Sequence, residues 1–336
     1  MIVANFFHIK ASNGLFFYGL DYVRENLPEV RKALVRPALE AAARRALPGC
    51  EIVVCDGRRF LREAWRAHRG GDLLYTPTSH PLPGISRQWI VVHDAYPFLL
   101  GWRGVVKRLL LKASLALSDC RVAYINRADA RPFVERLGVS TQRQVFAPNR
   151  FPTPPALGPR VSTPDAPMSV GLVGTDSAKK NYAQLLAAIA AAEPQAPLTF
   201  RFYGHDSAYF REVRAQFPGM RLMLVSSDQF SLDQFFQEVD VLASAATQEG
   251  FGRPIAAALL AGIPCVLVEC GVFREFFDGA AVFRSDVAAL ARGLLQAARQ
   301  PLARPTYVPP VDVLNAYKSA NAQLSQLGNS SGRIPL

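Results

Sequence analysis

The 336-residue sequence predicts an α/β fold built as two domains, each a parallel sheet with crossover helices. Three observations predict it. Short β-branched or aromatic runs alternate with longer helical patterns from one end to the other. The length exceeds the usual single core, so two domains of roughly 150 residues fit better than one. The segment 151–167, FPTPPALGPRVSTPDAP, repeats prolines that block helix and central strand alike, which marks a linker. Half of the residues are hydrophobic and only 19% are charged, which excludes a disordered or coiled-coil chain.

In the first half, runs at 2–7, 51–55, 72–76, 89–93, 121–125 and 144–147 read as strands. Helical stretches between them include 30–46 and 105–117. Asn13-Gly14 follows the first strand, where a turn would bring backbone amides to the top of the sheet. The first domain is therefore predicted over 1–150. After the linker the series resumes with strand 169–173, helix 182–192, strand 198–203, helix 209–217 and strand 221–225. It continues through helix 232–237, strand 239–244, helix 254–261, strand 265–269 and helix 287–298, giving a second domain over 168–305. The remaining 306–336 reads as a crossing segment. Its helix over 311–324 is expected to return to the first domain, and its polar stretch 328–332 to be a mobile tail.

The net charge of +11 favours anionic partners, among which nucleic acid, phospholipid and sugar nucleotides all qualify. Basic residues gather at Arg58, Arg59, Arg62, Arg66 and Arg69, and again at Arg103, Lys107, Arg108 and Lys112, suggesting a membrane-facing or acceptor-facing first domain. The segment 102–117, WRGVVKRLLLKASLAL, can place Arg103, Lys107 and Arg108 on one side of a helix and Val106, Leu109 and Leu110 on another. That pattern fits an anionic inner-membrane surface as partner or an ordinary domain helix. Nucleic acid is set aside, because no recognition motif or aromatic stacking platform accompanies the charge. The five cysteines are odd in number and lack zinc-ligand spacing, so they read as reduced core residues of a cytoplasmic protein. No run approaches the ~20 apolar residues of a membrane span, and no signal-peptide pattern opens the chain, so membrane contact is expected to be peripheral.

The strongest motif is Glu249-Gly250-Phe251-Gly252-Arg253-Pro254. The preceding strand ends at residue 244, and a loop carries Glu249 to the carboxyl edge of the sheet, where open α/β folds bind ligands. Gly250 and Gly252 permit close backbone approach. Pro254 can begin a helix and Gly262 can end it. A helix N-terminus beside glycines suits a diphosphate, whereas Glu249 repels phosphate and suits sugar hydroxyls.

This arrangement resembles the donor-site motif of family 4 glycosyltransferases (glycosyltransferase group 1, mannosyltransferase-like), and the resemblance extends over most of the chain. Val173-Gly174-Thr175 followed by Lys179-Lys180-Asn181 resembles the family's strand, glycine loop and basic pair. The run 89–94, ending in His93-Asp94, resembles its strand with a terminal His-Asp, and Asn13-Gly14 falls where the family has a glycine loop. Glu275, within Phe273-Arg274-Glu275-Phe276, resembles its later glutamate.

The resemblance implies a GT-B fold, two Rossmann-like domains facing each other across a cleft. It implies a retaining, metal-independent transfer of a sugar from a nucleotide sugar to a glycan or lipid-linked acceptor in bacterial surface polysaccharide or lipopolysaccharide biosynthesis. GDP-mannose is the first donor expected, with UDP-sugars and dTDP-deoxysugars open, and no cofactor is needed beyond that donor. His93, Asp94 and Glu249 are then assigned to the reacting sugar. Asn13, Gly14, Gly174, Thr175, Lys179, Lys180, Gly250, Phe251, Gly252 and Glu275 are assigned to the donor, with Lys180 neutralising the leaving diphosphate. One position departs from the pattern: eight residues after Glu249, where the family places a second glutamate for the ribose, stands Ala257. Glu269 is the candidate substitute, and a catalytically silent sugar-nucleotide-binding or scaffold protein is the alternative reading.

Overall fold

The computed structural model describes residues 1–155, 157–158 and 166–330, and the chain forms two units, Met1–Arg150 with Pro310–Leu336, and Phe151–Pro309. The first unit holds strands β1 (Ile2–Asn5), β2 (Val30–Val35), β3 (Glu51–Val54), β4 (Leu73–Thr76), β5 (Gln88–Val92), β6 (Cys120–Tyr124) and β7 (Gln144–Phe146). They form one sheet in the order β3-β2-β1-β4-β5-β6-β7, and every pairing is parallel. Helices α1 (Gly14–Glu25), α2 (Glu40–Ala46), α3 (Gly57–Arg69), α4 (Gly101–Ala116) and α5 (Ala130–Arg136) connect the strands. Every residue of β1, β4 and β5 is buried, as expected of central parallel strands covered on both faces.

The predicted helix over 30–46 is corrected here: its first six residues are strand β2, and only Glu40–Ala46 is α-helical. Pro37 explains the division, since it pushes Arg36 into extended backbone at φ −76° and ψ 157°. In β2 only Arg31 is exposed, so the run carries no clear two-residue alternation.

The second unit repeats the plan with β8 (Met168–Val173), β9 (Leu198–Gly204), β10 (Leu222–Ser226), β11 (Val241–Ser244), β12 (Cys265–Val268) and β13 (Val282–Arg284). These parallel strands are ordered β10-β9-β8-β11-β12-β13. Its helices are α6 (Tyr182–Ala192), α7 (Ala208–Gln216), α8 (Leu232–Gln237), α9 (Arg253–Leu260), α10 (Gly271–Phe277) and α11 (Val287–Arg299). Leu185, Leu186 and Ile189 of α6 and Leu290 and Leu294 of α11 close one face over Val170, Leu172, Phe200 and Phe202. The short α10 and β13 had no counterpart among the predicted elements.

The last helix, α12 (Val311–Asn329), belongs to the first unit. It runs five residues past the predicted 311–324, so Gly328 and Asn329 are helical rather than part of a tail, and the Gly328 carbonyl accepts from the Met1 ammonium at 2.6 Å. Residues 156 and 159–165 of the predicted linker and 331–332 of the predicted tail lie outside the described residues. All five cysteines are free thiols, three of them buried in or beside β3, β6 and β12. Among the described residues no helix is long and apolar enough to cross a membrane.

Candidate functional site

In both sheets the strand order reverses beside the first strand of the unit, between β1 and β4 and between β8 and β11. The loops leaving the carboxyl ends of such a pair diverge to opposite faces and open a crevice suited to ligands. In the second unit those loops carry the two strongest motifs.

The loop after β8 turns at Gly174, whose φ of +93° favours glycine and which a Cβ would crowd at 3.2 Å from Lys180 Cε. A short turn at 178–180 ends at Asn181, itself left-handed at φ 54°. The Asn181 side-chain amide donates to the Ala245 carbonyl at 2.9 Å, tying this loop to the one after β11. Lys180 Nζ then reaches Glu249 Oε1 at 2.5 Å, with the two side chains only 21% and 13% exposed. Two residues that the sequence assigned to adjacent parts of one ligand are thus partners across the crevice. Lys179, half-buried, forms no ion pair with the described residues.

Gly252, at φ +91°, is the N-cap of α9, where no side chain caps the helix and Pro254 occupies the first turn. A Cβ at Gly252 would lie 3.1 Å from both Ile255 Cδ1 and Phe273 Cε1, so close packing as well as φ calls for glycine. Gly250, partly exposed beside Glu249, completes the loop. The amides at this helix start place positive potential at the β8/β11 crevice, beside a Lys180–Glu249 pair whose charges compensate each other.

At two of the expected donor positions the side chain faces the protein interior. Phe251 is 3% exposed and packs edge-on against Phe151 and Phe276, at centroid distances of 5.2 and 4.8 Å, so its ring is a core element. Thr175 is 2% exposed and its hydroxyl donates to the His205 carbonyl at 2.7 Å, joining the ends of β8 and β9. At both positions only the backbone remains for a ligand. Glu275 sits in the middle of α10, half-buried between buried Phe273 and Phe276. Glu269 is exposed and paired with Arg274 at 3.0 Å, and Ala257 lies 4% exposed within α9.

In the first unit, His93 follows β5 and its Nε2 lies 3.0 Å from the Pro77 carbonyl. A carbonyl only accepts, so Nε2 carries the proton and Nδ1 is the ring's acceptor. Burial pulls the His93 pKa down to about 4, opposed by that carbonyl, and the ring is neutral at pH 7. The Tyr18 ring meets it edge-on at 4.7 Å. Asp94 follows, half-buried. Asn13 caps α1, its Oδ1 accepting from the amides of Leu15 at 3.1 Å and Phe16 at 3.4 Å. Those two amides are engaged by the protein's own cap and are not left for phosphate. Nothing lies within 4 Å of a Cβ added at Gly14, so the fold itself does not require glycine there.

Asn181 belongs to the basic motif quoted from the sequence, but its tie to Ala245 was not foreseen, and Asn126 was not singled out at all. Asn126 is fully buried, donates to the His93 carbonyl at 3.2 Å and accepts from the Asp129 and Ala130 amides at 2.9 and 2.8 Å, fixing the strand end that carries His93. Its signal was an asparagine directly after the strand at 121–125. Among the described residues no cluster of three His, Cys, Asp or Glu side chains is arranged to hold a metal ion.

Comparison with known proteins adds an independent line. Residues 167–300 match the family model described as glycosyl transferases group 1. No curated protein sequence matches the chain. Solved structures of similar fold include a sucrose-phosphate synthase from Thermosynechococcus elongatus, with a TM-score of 0.67 at 15% identity, covering 97% of both chains. They also include WaaG, a glycosyltransferase involved in lipopolysaccharide biosynthesis, with a TM-score of 0.63 at 14% identity, covering 98% of this chain and 100% of that one. TarM matches with a TM-score of 0.57 at 12% identity over 80% of this chain, which spans only 57% of TarM's length. The two parallel sheets and these neighbours show a GT-B fold of two Rossmann-like units, and the match to the group 1 glycosyl transferase model falls within the second unit.

Proposed function

We propose that the protein is a retaining glycosyltransferase that moves a sugar from a nucleotide sugar to a glycan or lipid-linked acceptor in surface polysaccharide biosynthesis. The observation that carries this reading is the Lys180–Glu249 pair at the β8/β11 crevice, beside the uncapped start of α9. Without ligand the two charges satisfy each other. A diphosphate entering at the helix start draws Lys180 away, and the released Glu249 carboxylate accepts hydrogen bonds from sugar hydroxyls. Lys180, Lys179 and the α9 amides then stabilise the charge that develops on the leaving diphosphate, which is why we assign the step no metal.

His93 is neutral and acts as a hydrogen-bond acceptor or polar wall at the sugar, with Asp94 orienting sugar or acceptor. Gly174, Gly250, Gly252 and the backbones of Thr175 and Phe251 line the donor side, with Glu275 assigned there by resemblance alone. GDP-mannose is the first donor to test, and UDP- and dTDP-sugars belong in the same panel, since no residue singled out reads the base. The family's ribose contact is replaced by buried Ala257, and Glu269 is already paired with Arg274, so nucleotide grip rests on the lysines and backbone amides.

The test is nucleotide release from that donor panel, with and without a crude lipid-linked acceptor. Acceptor-stimulated release from one donor is expected, and Lys180→Ala or Glu249→Ala should each lower it by about 100-fold. Near-normal turnover in both variants would sink the site assignment. Measurable nucleotide binding with no release from any donor would establish the silent scaffold instead.

A further inference from the structure

An apolar feature that the proposed transfer leaves unused is the outer face of α4. Only Gly104, Leu111 and Leu115 of this helix are buried. At about 100° per residue these three share one side. Trp102, Val105, Val106, Leu109 and Leu110 follow the i, i+3, i+4, i+7, i+8 spacing and form a stripe directly opposite. An ordinary domain helix would bury such a stripe. Here Trp102 is 72% exposed, Leu109 59% and Leu110 62%, and Leu117 just beyond the helix is 68% exposed. Contiguous apolar exposure of this kind marks an interaction surface, unlike scattered single residues.

The charges are arranged around the stripe. Arg103 and Lys107 project along one flank, Arg108 and Lys112 along the other, and all four are exposed. The patch also continues onto α3, where Leu61, Trp65 and the arginines 58, 62 and 69 are exposed. The Gly84 turn joins the two helices, since its amide donates to the Leu117 carbonyl at 3.3 Å and Trp65 packs against it.

We propose that α4 docks the first unit on an anionic lipid surface, the stripe entering the headgroup boundary and the flanking lysines and arginines facing lipid phosphates. A second copy of the chain fits less well. A symmetric pairing of two α4 stripes would set basic flank against basic flank, whereas a bilayer supplies the opposite charge on both sides. Tryptophan at the edge of such a stripe suits the membrane interface. The surplus of +11 adds long-range attraction to the same partner.

The proposal is tested on the whole protein without donor or acceptor, so its outcome is independent of transfer activity. The protein should co-sediment with phosphatidylcholine vesicles containing phosphatidylglycerol and not with phosphatidylcholine alone, and the binding should weaken as salt rises. Leu109→Asn with Leu110→Asn should reduce vesicle affinity at least about ten-fold, since two buried aliphatic contacts are lost. Lys107→Glu with Arg108→Glu should reduce it by about five-fold or more per charge. In a Trp65→Phe background, leaving Trp102 and fully buried Trp89, a blue shift of the emission on adding anionic vesicles should report Trp102 insertion. Circular dichroism and thermal melting confirm that each variant folds. Absence of sedimentation with anionic vesicles at low salt would overturn the proposal. So would a concentration-dependent dimer that the Leu109→Asn, Leu110→Asn variant dissociates, because the stripe would then belong to a second copy.

Discussion

Lys180 and Glu249 are each more than three-quarters buried and each is the other's counter-charge. Removing one leaves the other charged and poorly solvated, whereas removing both leaves a neutral pocket. Glu249→Gln alone and Lys180→Met alone should therefore each cost about 1–3 kcal/mol of folding stability, while the double variant recovers most of it. Turnover should fall about 100-fold in all three. Urea unfolding beside nucleotide release makes the comparison, and a double variant that regains activity along with stability would refute a ligand-binding role for the pair. A second residue-scale effect concerns pH. His8 and His93 are both pulled to about 4, chiefly by burial. Above pH ~6.5 both are neutral folded and unfolded, so they contribute no slope. As pH falls from ~6.5 toward ~4 the unfolded chain takes up protons that the native state refuses, and stability declines; below ~4 that decline ends. His8 Nε2 is buried with no hydrogen-bond partner among the described residues, and its ring stacks on His80 at 4.4 Å and meets Phe60 edge-on at 5.3 Å. His8→Phe should keep the packing, hold stability near neutral pH, and give a visibly smaller loss on acidification in denaturant titrations.

At the scale of elements, the glycines that begin α9 and α1 look alike in sequence and differ in what the fold asks of them. Gly252 is left-handed and enclosed by Ile255, Phe273 and Phe277, so Gly252→Ala should destabilise by about 2 kcal/mol or more. Gly14 opens a helix into free space, so Gly14→Ala should change stability by less than about 1 kcal/mol. Urea midpoints decide both, and an activity loss in Gly14→Ala at unchanged stability would return that residue to the ligand. The same contrast shows what the sequence could reveal. The loops with α9 and α6 were legible because glycine, proline and charge punctuate them at spacings set by the strand and helix they join. The 30–46 stretch was misread because a strand with only Arg31 exposed offers no two-residue alternation, and the alanine-rich helix after Pro37 lent its character to the whole run. α10 and β13 are only seven and three residues long, too short for either period to register. For Thr175 and Phe251, whether a side chain points outward or to the core depends on neighbours distant in sequence, here His205, Phe151 and Phe276.

At the scale of the whole molecule, the first strand and the last described helix meet in the first unit. α12 buries Val313, Ala320 and Leu324 and sets Tyr317 against Tyr22 at 5.0 Å. Asn321 Oδ1 accepts from Asn26 Nδ2 at 2.9 Å, Ser325 donates to Glu29 at 2.9 Å, and Asp312 pairs with Arg127 at 2.6 Å. The Arg87 guanidinium donates to the Leu327 carbonyl, and Gly328 packs so closely on Ile2 that a Cβ there would lie 2.7 Å from Ile2 Cγ1. Val313 and Leu324 alone account for roughly 1.5–3 kcal/mol each of buried apolar surface. Set against a typical net stability of about 5–15 kcal/mol, their loss would leave the first sheet marginal. A chain ending at Pro309 should therefore show a lowered transition for the first unit and an unchanged one for the second, which keeps all its strands and helices between 151 and 309. Scanning calorimetry separates the two if they unfold as independent units. Gly328→Val, which lengthens nothing and deletes nothing, should lower the same first-unit transition through overpacking against Ile2, by about 1–3 kcal/mol. Equal lowering of both transitions by either change would show that α12 supports the two units together rather than the first alone.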